Sequence, residues 1–410
     1  MRRLIRAVFL AVVILVGTGG VTAVLGDSPG EPIRIGVPIP LSGAFAIFGE
    51  QMRQATELKL KEINDAGGLI GRSVEAVYVD TQSEVQPTID GVKDLIYNKN
   101  VDVLIGIVSS ANRDAVVPTL YRTKTVLINP SSHEGMAPAK HAGQGARYLF
   151  LTGAIPEQWA KPYIEWIIDN IGSEFYCIGM DYAWGRGSIA NAKEFILELG
   201  ATVVGEEYTP VGTTDFGAVL NRVLAAEPDV LYNVMAGADL IYIVKQFHEF
   251  GLKEQGITFG PMYIDEGYFA ALEPEALTGI TGSGYSMSLD TEENRRFLQG
   301  MREMYGDDIV IGSMTVAQYN ALSFFEAAVR RGRSVETADL IRSLEGVGIS
   351  ALQGEEWLRA EDHVVIIDKA AVYVIEADPA VPWYEWMKLV DQPPSPIPAL
   401  QGNVFVEALE

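Results

Sequence analysis

The chain has 410 residues, 48% of them hydrophobic, with 54 acidic against 31 basic residues and a formal net charge of −23. That length exceeds what one core usually holds, since cores beyond about 250–300 residues tend to split. The acidity argues against nucleic acid as a partner, which requires clustered Lys and Arg, and a single cysteine, Cys177, excludes a disulfide scaffold.

Residues 1–26 read as a secretory signal peptide. Arg2, Arg3 and Arg6 form a basic start, Ala7–Val16 an apolar stretch, and small residues lead to a cleavage position near Gly26. The apolar run falls short of the roughly 20 residues a membrane span requires. The expected location is therefore periplasmic or otherwise extracytoplasmic.

A first series of elements opens with the strand IRIGVPIPL. A helical run over 49–66 places Met52, Ala55, Ile63 and Ala66 on one face and stops at Gly67-Gly68. The strand VEAVYVD, a helix over 88–99, the strand VDVLIGIV, a helix from about Ala111 and the strand TVLINP follow. Pro118 is expected to disturb the last of these helices unless it lies in its early turns. The run VLIGIVSSANRD hands a buried strand directly to Ser109 and Ser110 at a helix start. Two readings stay open there: a helix cap, or a cradle for a small anion.

The second series starts with FYCIGMD, where Cys177 reads as a buried, inert thiol. A helix over 188–199 follows, then ATVVGEEY, and a helix that Asp215 is expected to cap, with Phe216, Val219, Leu220, Val223 and Leu224 on one face. DVLYNVM, a helix from Asp239 and ITFGPMYI complete it. Alternation of this kind predicts parallel sheets covered by helices on both faces, as two doubly wound α/β lobes. Beyond lie helices over 291–305, 315–330 and 337–344, a strand pair within HVVIIDKAAVYVIE, and a proline-rich, extended QPPSPIPALQG.

Chemistry-bearing motifs are scarce. The four histidines form no metal-ligand spacing, there is no GxSxG elbow, and neither a metal nor a cofactor is expected. Gly185-Arg-Gly187-Ser-Ile-Ala190 imitates a dinucleotide fingerprint, but four residues separate it from the preceding strand, where the fingerprint turn follows at once. What remains is polar and aromatic residues at the C-terminal ends of strands: Ser109 and Ser110, Ser131 and Ser132, Tyr182 and Trp184, Asp265 and Glu266. Ligands bind at that edge of open α/β sheets, and two such edges facing one another make an interlobe cleft. His133 reads as a solvated loop residue.

The stretches IRIGVPIPLSGAFAIFGEQMRQATELKLKEINDAGGLIGR, TTDFGAVLNRVLAAEPDVLYNVMAGADLIYIVKQFHEFGL and AQYNALSFFEAAV resemble the periplasmic solute-binding proteins of branched-chain amino acid, amide and urea ABC importers. The resemblance runs over about 31–375 and implies a type I periplasmic binding protein fold, two lobes joined by a three-strand hinge. It implies a first lobe of 31–150 plus 284–350, a second of 151–283 plus 351–400, and a tail at 401–410. The implied function is capture of a small polar solute by lobe closure, in a monomer that delivers to a membrane permease and is not an enzyme. A ligand sensor of the same fold is the alternative. By the same resemblance Ser110, with Ser109 beside it, and Ser131 and Ser132 would meet a carboxylate or amide. Phe48 would cover the ligand, Trp184 would stand for the aromatic before glycine in the second lobe with Tyr182 beside it at the strand end, Ala236 would border the cleft, and Glu266 would receive an α-ammonium. His133-Glu134-Gly135 after the serines is similar to the amide and urea binders.

Overall fold

The computed structural model describes residues 30–134, 140–143, 145–400 and 405. The expected signal segment and the 401–410 tail, Phe405 excepted, lie outside the described residues.

Seven-residue strand β1 (Ile33–Ile39) buries Ile33, Ile35, Val37 and Ile39 completely. It is flanked by β2 (Val74–Asp80) and β3 (Val103–Ile105), and β4 (Leu127–Asn129) and β5 (Leu149–Leu151) extend the sheet. The order is β2-β1-β3-β4-β5, every pair parallel. Near-continuous apolar strands are what burial of both sheet faces demands. Helices α1 (Ala46–Asp65), α2 (Val85–Tyr97) and α3 (Ser110–Thr123) connect them. Pro118 sits well inside α3, which nonetheless runs on to Thr123.

The second sheet, in the order β7-β6-β8-β9, is also wholly parallel: β6 (Glu174–Met180), β7 (Thr202–Thr209), β8 (Val230–Val234) and β9 (Thr258–Pro261). Cys177 is buried in β6, and burial pushes its thiol up to about 12. Helices Ala183–Glu198, Gly217–Ala226 and Ala238–Glu249 connect its strands. Gly185 and Gly187 fall inside the first of these helices rather than in a phosphate-binding turn. The helix expected to be capped by Asp215 has Phe216 at its N-cap, and the Asp215 carboxylate accepts from Gly217 N–H instead.

Two small antiparallel sheets complete the molecule. β10 (Thr281–Ser283), β14 (Val372–Ile375) and β15 (Met387–Asp391) form one, and β11 (Gly348–Ala351), β12 (Gly354–Leu358) and β13 (Val365–Ile367) the other. The expected strand pair within 363–376 is therefore corrected, because β13 and β14 belong to different sheets. β11 packs on helix Ser313–Gly332, itself packed on α1, and Leu151 bridges to Val364 beside β5. Residues 348–367 thus join the first lobe, whereas the expectation put the change of lobe at 350. The chain leaves the first sheet after β5, returns to pack on α1 after β10, and pairs back with β10 after β13.

Candidate functional site

The C-terminal ends of the two parallel sheets face each other across one cleft, which reaches the crossing segments and encloses about 140 Å³. On the first-lobe side, Asp80 at the end of β2 organises the rim. Its carboxylate accepts from Leu41 N–H at 2.9 Å, from Ser42 N–H at 3.2 Å and from the Ser42 hydroxyl at 2.7 Å. Ser83 Oγ donates to Ser42 O and accepts from Phe45 N–H at 3.0 Å. The PLSG turn is pinned by these bonds, and it delivers Phe45 and Phe48 to the cleft.

The rings are continuous across the lobes. Phe48 stacks on Phe45 with centroids 6.1 Å apart, Phe45 meets Tyr182 of the second lobe at 6.2 Å, and Tyr182 meets Trp184 at 6.1 Å. Trp184 then meets Tyr263 edge-on at 6.2 Å, and Tyr263 meets Trp159 at 6.4 Å. All six rings line the cleft. Trp159 Nε1 is buried with no hydrogen-bond partner among the described residues, leaving one donor available at the wall.

Of the nine residues singled out from sequence, Phe48, Ser131, Ser132, Tyr182, Trp184 and Ala236 line the cleft, and Ser109, Ser110 and Glu266 do not. The serines are displaced by the backbone before them. Ile107 holds φ 70°, a strained conformation for a β-branched residue. Its N–H donates to Pro38 O, and its carbonyl accepts from Asn129 Nδ2 and Ser131 Oγ. That turn leaves Val108 lining the cleft while Ser109 and Ser110 are buried. Ser109 occupies the N-cap of α3 without a side-chain capping bond, and Ser110 Oγ accepts from Arg113 Nη1 at 3.4 Å. Neither reading of the two serines holds in its simple form.

Glu266 is corrected in the same way. It is wholly buried, and its Oε1 accepts from Ser286 Oγ at 2.7 Å and Met287 N–H at 2.8 Å, in the segment that crosses back to the first lobe. Burial pushes its carboxyl up to about 8. Its neighbour Asp265 does line the cleft, as does Glu356 of β12. Asp265 accepts from Gly267 N–H and, across the lobes, from Ser313 N–H at the start of helix Ser313–Gly332, both at 2.8 Å. A carboxylate has about four acceptor positions, so two such bonds leave room for a ligand cation. Burial raises the Asp265 pKa, which a bound cation would oppose.

His133 and Glu134, expected in the loop after the serines, are buried rather than solvated and do not line the cleft. Burial, and then the Arg113 guanidinium, lower the His133 pKa. Burial favours the neutral form of Glu134, but Arg113 and the Lys140 bond outweigh it and hold the carboxyl low. Glu134 O accepts from Asn191 Nδ2 of the second lobe at 2.9 Å, outside the cleft. Phe45, Trp159 and Tyr263 were not singled out. Tyr263 closes an apolar strand run, Phe45 follows PLSG, and Trp159 sits on helix Pro156–Asn170, for which no periodic signal was read.

Residues 32–380 match the family described as periplasmic binding protein. A Leu/Ile/Val-binding protein homolog 3 of Brucella melitensis is 22% identical over 305 residues, 74% of this chain and 80% of that protein. An amino acid ABC transporter substrate-binding protein from Pseudomonas fluorescens Pf-5 superposes with a TM-score of 0.80 at 20% identity, covering 93% of this chain and all of that one (100%). A solute binding protein of an ABC transporter from Rhodopseudomonas palustris BisB5, in complex with 3,4-dihydroxy benzoic acid, gives 0.78 at 20% identity over 89% of this chain and 97% of that one.

Proposed function

We propose a function from one premise: the chain belongs to the periplasmic binding protein family, whose pattern it matches over residues 32–380. It serves as the extracytoplasmic substrate-binding protein of an ABC importer, capturing an amino acid between its lobes and presenting it to a membrane permease. The names of the similar proteins support the transport context. The observation that carries the ligand reading is the placing of the buried acid Asp265 beside a wall of six aromatic rings in a single interlobe cleft.

In this reading Asp265 takes the α-ammonium, Ser132 and Thr152 meet the carboxylate, Trp159 Nε1 adds a donor, and the rings exclude water around the side chain. The enclosed volume of about 140 Å³ is on the order of ten water-sized positions. That favours an amino acid over urea, which would leave most of the space unfilled. Closure is driven by contacts that exist only when both lobes meet the ligand.

The test is a thermal-shift screen with leucine, isoleucine, phenylalanine, benzoate, acetamide and urea, because a ligand of the native state raises its melting point. At least one amino acid is expected to shift the transition, and it should be recovered chemically unchanged. A second reading, an aromatic carboxylate, is favoured by the six rings. A shift with benzoate alone would replace the amino-acid reading with that one.

A further inference from the structure

The cavity does not end at the rings. Helix Ser313–Gly332 turns Ser313, Val316, Ala317 and Asn320 toward it. Their 3-, 4- and 7-residue spacing is one stripe running about 10 Å along the helix axis. Asp265 stands at the near end, bound to Ser313 N–H. At the far end stands Glu356 of β12, only 3% exposed.

Glu356 is incompletely satisfied. Asn320 Nδ2 donates to its Oε1 over a long 3.4 Å, the Gln353 side chain stands near enough to favour its charged form, and its Oε2 has no geometric hydrogen-bond partner among the described residues. Among the described residues no ion pair to Glu356 is found, although Lys369 also lines the cavity. Burial pushes its carboxyl up to about 8. A buried polar atom without a partner is costly in a native fold. Here the orphaned carboxyl belongs to a residue of the cavity wall.

We propose that Glu356 and Asn320 form a distal subsite for an amine at the far end of the ligand's side chain, so that the solute is an amino acid with a basic side chain. The proposal rests on the amino-acid reading of the cleft. The α-ammonium lies at Asp265, the side-chain methylenes pass Leu289, Val316 and Ala317, and the terminal amine donates to Glu356 Oε2. The cation favours the ionised carboxylate and replaces the missing partner.

Isothermal titration of the wild-type protein with lysine, norleucine and leucine tests this. Lysine and norleucine differ only in the terminal amine, so lysine is expected to bind about tenfold or more tighter, as a charge-assisted hydrogen bond implies. In Glu356→Gln that advantage should shrink to about twofold or less, because a neutral amide cannot balance the ammonium. Norleucine binding as tightly as lysine to the wild type overturns the subsite, and that comparison needs no variant. An undiminished lysine preference in a folded Glu356→Gln also overturns it. If leucine binds and lysine does not, the subsite falls while the amino-acid reading stands. If none of the three binds, the subsite falls, and the amino-acid reading falls with it only if isoleucine and phenylalanine also leave the melting point unchanged.

Discussion

Two adjacent acids, Asp265 and Glu266, have opposite tasks because one peptide step turns their side chains to different surroundings. Asp265 lines the cleft, and Glu266 ties the β9 loop to Ser286 and Met287 in a crossing segment. Asp265→Asn is expected to weaken amino-acid binding by about 1.5–3 kcal/mol, the range for a hydrogen bond to a charged group, read as the dissociation constant in calorimetry. Unchanged affinity would remove Asp265 from the site. For Glu266 the expected signature is stability instead. Its folded carboxyl keeps a proton up to about pH 8, whereas the ordinary value is 4.5. Between those values the folded state binds more protons than the unfolded chain, so this group's stabilisation is full below pH 4.5 and is lost as pH rises through 8. Glu266→Gln removes that slope. Its melting point should therefore gain on the wild type between about pH 5 and pH 8.5. Parallel curves would refute this.

At the scale of the element, the rim turn before α1 depends on close backbone approach. A Cβ on Gly49 would lie 1.8 Å from Pro40 O, and a carbonyl of the same turn cannot swing aside like a flexible side chain. Gly49→Ala should cost about 1–3 kcal/mol, as overpacking does, and lower ligand affinity by displacing Phe45 and Phe48. Urea midpoints and titration measure both effects, and a wild-type midpoint would sink the prediction. The parallel strands and the long helices of the lobes were legible because their apolar periodicity is undiluted. The strand ends could be located too, which is why Ser131, Ser132, Tyr182 and Trp184 reached the cleft, whereas Phe48 and Ala236 came from the family resemblance. Side-chain direction after a strand was not legible. The positive φ at Ile107 buries Ser109 and Ser110, and a single peptide exchanges Glu266 for Asp265. Three-residue strands such as β5 and β10 carry too little pattern to be read, and the partners of β13 and β14 are set by tertiary packing rather than by nearness in sequence.

For the whole molecule, the proposed function makes lobe closure the equilibrium that binding must shift. The lobes touch at places that need not touch ligand. Asn191 Nδ2 donates to Glu134 O at 2.9 Å, outside the residues that line the cleft. Such a seam bond favours the closed arrangement whatever the ligand is. Removing it lowers the fraction of closed molecules, and the apparent dissociation constant rises by the same factor. Asn191 also bonds within its own helix to Gly187 O, so loss of its side chain leaves that helix's backbone ladder intact. Asn191→Ala is therefore expected to raise the dissociation constant of every ligand by about fivefold, equivalent to one net hydrogen bond of about 1 kcal/mol. The effect should be the same for leucine and for any longer side chain, unlike a change inside the cleft, which discriminates between them. Calorimetric titration of two ligands separates these outcomes, and a ligand-dependent ratio would mean that Asn191 acts on the cleft rather than on closure.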